Sequence, residues 1–173
     1  MTSVRSRRVT AVWLCVLAAA CSRAPERRDL AAATPIFSAQ GFFAGRTRGD
    51  GILRIVTQGA QTVVVHSVGR IAAGGVLILD QTVDRAGVRS SREWRLKETS
   101  PGRYVGTLTD AAGPVVGDAT GNGLHLRFAM KGGGTAEQRL YLSPDGRSAR
   151  NLMTVRRWGV PVATLDERIA KVE

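Results

Sequence analysis

Between residues 124 and 130 the chain reads LHLRFAM. Leu124, Leu126, Phe128 and Met130 fall on one face, and His125, Arg127 and Ala129 on the other. A period of two is the mark of a strand with one side on a core and the other in water. Comparable runs at 52–57, 62–68, 76–83, 92–98, 104–110, 138–142, 152–156 and 160–165 predict further strands. Turn-forming clusters separate them: GDG at 49–51, GG at 74–75, DRAG at 84–87, SPG at 100–102, GGG at 132–134 and SPDG at 143–146. No helical period is sustained long enough to form a crossover, so the strands are expected to be antiparallel. Eight to ten short strands joined by short turns predict an all-β, up-and-down barrel over residues 41–173, because closure removes exposed sheet edges.

The N-terminal pattern differs. Arg5, Arg7 and Arg8 precede the apolar run AVWLCVLAAA, and small residues lead to Cys21. This order reads as an export signal over 1–20, too short to span a bilayer, which needs roughly 20 apolar residues. Ala18-Ala19-Ala20-Cys21 is similar to a bacterial lipobox, which makes Cys21 the expected site of lipid attachment; ordinary signal-peptidase cleavage after Ala20 is the alternative. Two or more acyl chains would give a stable anchor. Ser22 after the cysteine favours the outer membrane, so the expected location is the cell envelope, lipid-anchored and facing the periplasm. Residues 21–40 mix charge, alanine and two prolines and predict a tether, with a short helix around 29–33 as an option.

Charge adds less than its size suggests. The formal net charge of +11 falls to +8 once the three arginines of the signal leave. Such an excess suits anionic partners, lipid head groups included, but the chain lacks the interleaved aromatics that stack bases, which argues against nucleic acid. Removal of Cys15 with the signal leaves one thiol and no internal disulfide. With two histidines, His66 and His125, on separate strands, neither a metal nor another cofactor is expected.

The stretch YVGTLTDAAGPVVGDATGNG at 104–123 looks most like a site. It lacks the Lys-Ser/Thr of a phosphate loop and the third glycine of a dinucleotide fingerprint. Gly113 and Gly117 have small-xxx-small spacing, but Asp110 and Asp118 would sit in lipid. Backbone needs remain: bends and close strand approach. Asp110, Asp118, Asn122 and His125 are the polar candidates for chemistry, each with a turn or solvated role as the competing reading, and no Gly-x-Ser-x-Gly elbow or other catalytic set accompanies them. Trp94 and Trp158 fit barrel packing or a rim, and Arg48-Gly49-Asp50 fits a turn.

FFAG at 42–45, REWRL at 92–96, YVGTLTDAAG at 104–113, GDATGNGLHLRF from Gly117, Asn151 and WGVPVATLDERI near the end resemble domain-of-unknown-function family 3833, a group of proteobacterial lipoproteins. The resemblance covers roughly residues 41–172 and implies a lipoprotein signal; it implies no activity. Three functions follow in order. The first is a lipocalin-like carrier of a lipid or fatty acid in a calyx lined by Val64, Leu77, Leu79, Trp94, Leu126 and Phe128. The second is a structural or assembly lipoprotein with a filled barrel and a protein partner. An enzyme acting on lipid or envelope substrates comes last. Oligomeric state is left open by the sequence.

Overall fold

The structure, a computed structural model, describes residues 30–172; the signal, Cys21 and the first part of the tether lie outside the described residues. Ten strands follow one another: β1 Gly45–Ile55, β2 Gly59–Ala72, β3 Val76–Arg85, β4 Val88–Ser100, β5 Arg103–Leu108, β6 Val115–Thr120, β7 Gly123–Ala129, β8 Thr135–Leu142, β9 Ser148–Arg157 and β10 Val160–Val172. Each pairs antiparallel with its sequence neighbours, and β1 also pairs with β10, closing the barrel. The fold class is therefore the one the alternation predicts. Apolar residues point inward and the charged ones mostly outward, the reverse of a membrane-spanning barrel.

In a meander, successive turns alternate between the two ends. The turns after β2, β4, β6 and β8 lie at one end, with the start of β1 and the finish of β10. Helix α1, Ala39–Phe43, plugs this end. Ser38 caps it by accepting from the Gly41 amide, and Phe37, Ala39, Phe42 and Phe43 are buried in the main core with Leu77, Leu96, Tyr104 and Leu124. Phe42 and Phe43 meet edge to face at 4.9 Å. Thus residues 37–40, read from sequence as tether, are part of the packed body, and no helix forms over 30–33.

At the opposite end, inward-facing Leu53, Val83, Met153 and Val155 are only half-buried, and Val63, Val65 and Leu165 form a smaller core beside them. This end has no plug helix among the described residues.

Two glycine-rich stretches depart from expectation. Gly49 and Gly51 do not form a turn; they lie within β1, paired on both sides, and face Glu167. A Cβ on Gly49 would stand 1.9 Å from Glu167 Oε1, so the glycines make room for that side chain. Arg48 and Asp50 instead form an ion pair on the outer wall at 2.8 Å. The stretch 104–123 is not bends alone, because it supplies β5 and β6. Gly106 is where strands approach closely: an added Cβ would lie 1.8 Å from the Arg95 carbonyl oxygen.

Candidate functional site

Of the polar residues singled out from sequence, the structure gathers none into a catalytic group. Asp118 and His125 are cross-strand partners on the outer wall. Asp118 accepts from Arg127 at 3.0 Å, while His125 Nε2 stands 3.0 Å from Glu137, which also binds Arg139 and Arg156. Burial first, then the Arg139 and Arg127 charges, holds the imidazole below its usual 6.5. It sits within a surface network of arginines and acids.

Asn122 is buried in the β6–β7 turn and fastens the tether. Its Oδ1 accepts from the Ala32 amide at 2.7 Å, and its Nδ2 donates to the carbonyls of Leu30 and Leu142 at 3.0 and 2.8 Å. A groove of about 640 Å³ runs where residues 30–34 leave the wall, with Tyr141, Arg150, Asp166 and Arg168 along it. It is open to solvent, and Arg150 and Asp166 are already paired there. Asp110 lies on the β5–β6 connection, 3.9 Å from Arg92 Nη1.

Leu77, Leu79, Trp94, Leu126 and Phe128 are buried within the barrel, in its main core. Val64 is not with them. Alternation places it on the outer face, and Val63 and Val65 point inward; a run of three valines carries no phase information, which is why the register was misread by one.

The interior holds a polar cluster that the sequence reading missed. Arg92 Nε and Trp94 Nε1 both donate to Gln81 Oε1 at 2.8 Å, and Gln81 Nε2 donates to Ser67 Oγ at 2.9 Å. The guanidinium also lies 5.9 Å from the Trp94 ring centroid. Across the lumen, Glu167 Oε2 accepts from Asn151 Nδ2 at 2.7 Å, while Asn151 Oδ1 and Thr47 Oγ1 are buried with no hydrogen-bond partner. Burial pushes the Glu167 carboxyl up, against the lowering by Asn151 and Arg92, and burial lowers Arg92 against the Glu167 and Asp110 charges. Desolvation thus outweighs mutual attraction for both groups.

Around these side chains is a cavity of about 30 Å³, bordered by Leu79, Gln81, Arg92, Trp94, Gln138 and Glu167. That is room for about two water molecules, since one water needs about 10–15 Å³ by this kind of measure. A signal for the cluster existed: Glu167 is in phase with Leu165 and Ile169, and Arg92 with Trp94 and Leu96, so each charge sits on an apolar face. Among the described residues no group of three or more His, Cys, Asp or Glu could hold a metal ion.

The barrel is similar to solved structures at low identity. The S-type phycobiliprotein lyase CPES from Guillardia theta superposes with a TM-score of 0.59 at 8% identity, covering 79% of this chain and 94% of that one. Rv2717c from M. tuberculosis gives 0.59 at 15%, covering 76% and 93%. A protein of unknown function from the DUF3598 family of Nostoc punctiforme gives 0.57 at 9%, covering 80% of this chain and 51% of that one. These likenesses establish the lipocalin-like barrel and nothing finer. No curated protein matches the chain by sequence. Residues 15–171 match the family described as protein of unknown function DUF3833, the family that the glycine-rich stretch and the WGVPVATLDERI segment resemble, and the chain belongs to it.

Proposed function

We propose that this chain is an envelope lipoprotein, acylated at Cys21, whose barrel binds one amphipathic acid, a fatty acid or related lipid. The head group sits at Arg92 and the apolar part runs past Val63, Val65, Leu53, Leu165 and Met153 toward the unplugged end. One observation carries this reading. Arg92 spends only its Nε on a hydrogen bond; its Nη fork makes none among the described residues, Nη1 pairing only at 3.9 Å with the half-exposed Asp110, inside a barrel where apolar filling would be less costly. Planar, bidentate recognition of a carboxylate or phosphate is what such a fork provides. Glu167 stands across the lumen from it, and burial raises its carboxyl, which narrows the pH range over which it would repel an anionic head group.

The ligand needs more space than 30 Å³. Entry requires Leu53, Val83 and Met153 to move outward, and these are the half-buried inward side chains. The small cavity itself favours a second reading, a structural or assembly lipoprotein with a filled interior.

Native mass spectrometry of protein extracted gently from membranes separates the two. A lipid acid bound one to one, and lost in Arg92→Gln with the fold retained, supports the carrier. Empty wild-type protein from several preparations overturns it in favour of the filled barrel. The same spectrum reports the mass of acyl chains on Cys21.

A further inference from the structure

Large apolar side chains are unevenly exposed over the surface. Of the five most exposed among the described residues, Trp158 at 93%, Val56 at 78%, Val88 at 66% and Val160 at 61% lie on or directly beside three turns at the unplugged end. These turns follow β9, β1 and β3, and their strands are neighbours around the barrel, so the four side chains share one sector of the rim. The Val56 amide donates to the Val162 carbonyl at 3.1 Å, tying two of the turns together. Between them is a hollow of about 330 Å³ bordered mainly by Ile55, Val56, Ala60, Pro161, Val162 and Ala163, with Arg54 at its edge.

Trp158 does not project by accident of a flexible loop. It is the first of the two central residues of the tight Arg157–Val160 turn, with φ of 50°, a left-handed conformation unfavourable for a bulky residue. The turn holds the indole away from the barrel instead of folding it back on the wall.

Cations frame this apolar sector. Arg54 and Arg85 have no ion-pair partner among the described residues, Arg157 donates to the Gly132 carbonyl and lies 5.9 Å from the Trp158 ring centroid, and Arg89 is 3.9 Å from Asp84. The acids at this end have partners: Asp84 has Arg89, Asp110 has Arg92, and Glu137 has Arg139 and Arg156. An aromatic tip, aliphatic turns and a surplus of arginines are complementary to the interfacial region of an anionic bilayer, where indole rings settle at head-group depth and long cationic side chains reach phosphate. A flat protein partner fits less well, because the apolar groups stand on separate turn tips and not on one continuous face.

We infer that the rim formed by Trp158, Val160, Val56 and Val88, with Arg54, Arg85, Arg89 and Arg157, docks the unplugged end of the barrel on an anionic phospholipid surface. Docking is independent of whether the lumen holds a ligand. If it does, the mouth then opens onto the lipid from which the ligand comes.

The test uses a chain beginning at Ser22, which keeps the whole closed barrel but lacks both the apolar leader and the acylation site. Flotation with phosphatidylcholine vesicles, with and without phosphatidylglycerol, should show at least tenfold stronger binding when the anionic lipid is present, weakening with salt. The emission of Trp158 should shift to the blue on binding. Trp158→Ala with Val160→Ser should lose at least tenfold, and Arg54→Gln with Arg157→Gln should remove the preference for anionic lipid. Arg103→Gln, at the plugged end, should change neither. Absence of binding, equal binding to both vesicles, or binding indifferent to the rim variants overturns the inference. So does a Trp158-dependent dimer in sedimentation that does not float, which would assign the rim to a second copy of the chain.

Discussion

Gly49 and Gly106 are both glycine for want of space, yet the obstacles differ. At Gly49 the obstacle is the buried Glu167 side chain; at Gly106 it is the backbone carbonyl of Arg95. Alanine at either position should destabilise by about 1–3 kcal/mol, the usual cost of overpacking. Shortening Glu167 to Ala should relieve most of the cost at 49 and none at 106, read as non-additivity in urea denaturation. Glu167 and His125 also predict opposite pH slopes. The folded-state carboxyl lies above its ordinary 4.5, so its contribution is complete below 4.5 and is lost as pH rises through the raised value. Glu167→Gln, which still accepts from Asn151, should therefore gain stability over wild type as pH rises from 4.5 toward neutrality. The imidazole is depressed below 6.5, so its contribution is present above 6.5 and is lost as pH falls through the folded value; His125→Gln should flatten that acid-side loss. Denaturation midpoints collected across pH 4 to 8 would test both signs.

The elements show which signals a single sequence carries. Strands with strict alternation, such as β7 and the apolar stretch of β4, were readable because every second residue is buried, whereas β3 was readable as a short apolar run, Leu77, Ile78 and Leu79 being buried together. The start of β1 and all of β6 were not, because glycines that serve packing look like glycines that serve turns. Helix α1 has only five residues, too few for a helical period, although Ser38 before a pair of phenylalanines is the local hint of a capped turn. The lumen charges escaped because Arg and Glu in a strand are presumed to face water, and only their phase with Leu165 and Trp94 says otherwise. For Asn122 the sequence leaves a bend role and a chemical role open, because two of its partners, Leu30 and Ala32, lie about ninety positions away and nothing local announces them. Asn122→Ala should leave the barrel closed, cost about 1–3 kcal/mol for the orphaned groups, and expose residues 30–36 to protease. Unchanged cleavage kinetics in that segment would count against Asn122 as the fastener.

At the scale of the molecule, the two ends of the barrel are unlike. The end where the described chain enters is sealed by aromatic residues, and the far end carries exposed Trp158 and, in Arg54 and Arg85, arginines with no ion-pair partner among the described residues, around half-buried apolar positions. Sequence composition gave the cationic excess but could not divide it between ends, since that depends on which turns face the same way. Closure joins β1 to β10 over ten residue pairs, from Arg46 with Val172 to Ile55 with Ala163. During synthesis the first strand is therefore made long before one of its two partners. Until β10 emerges, the growing sheet has two unpaired margins, and no intermediate of the meander can hide both. Closure waits for β10, so a stop introduced after Gly159 should yield protein that associates through those margins instead of a smaller barrel.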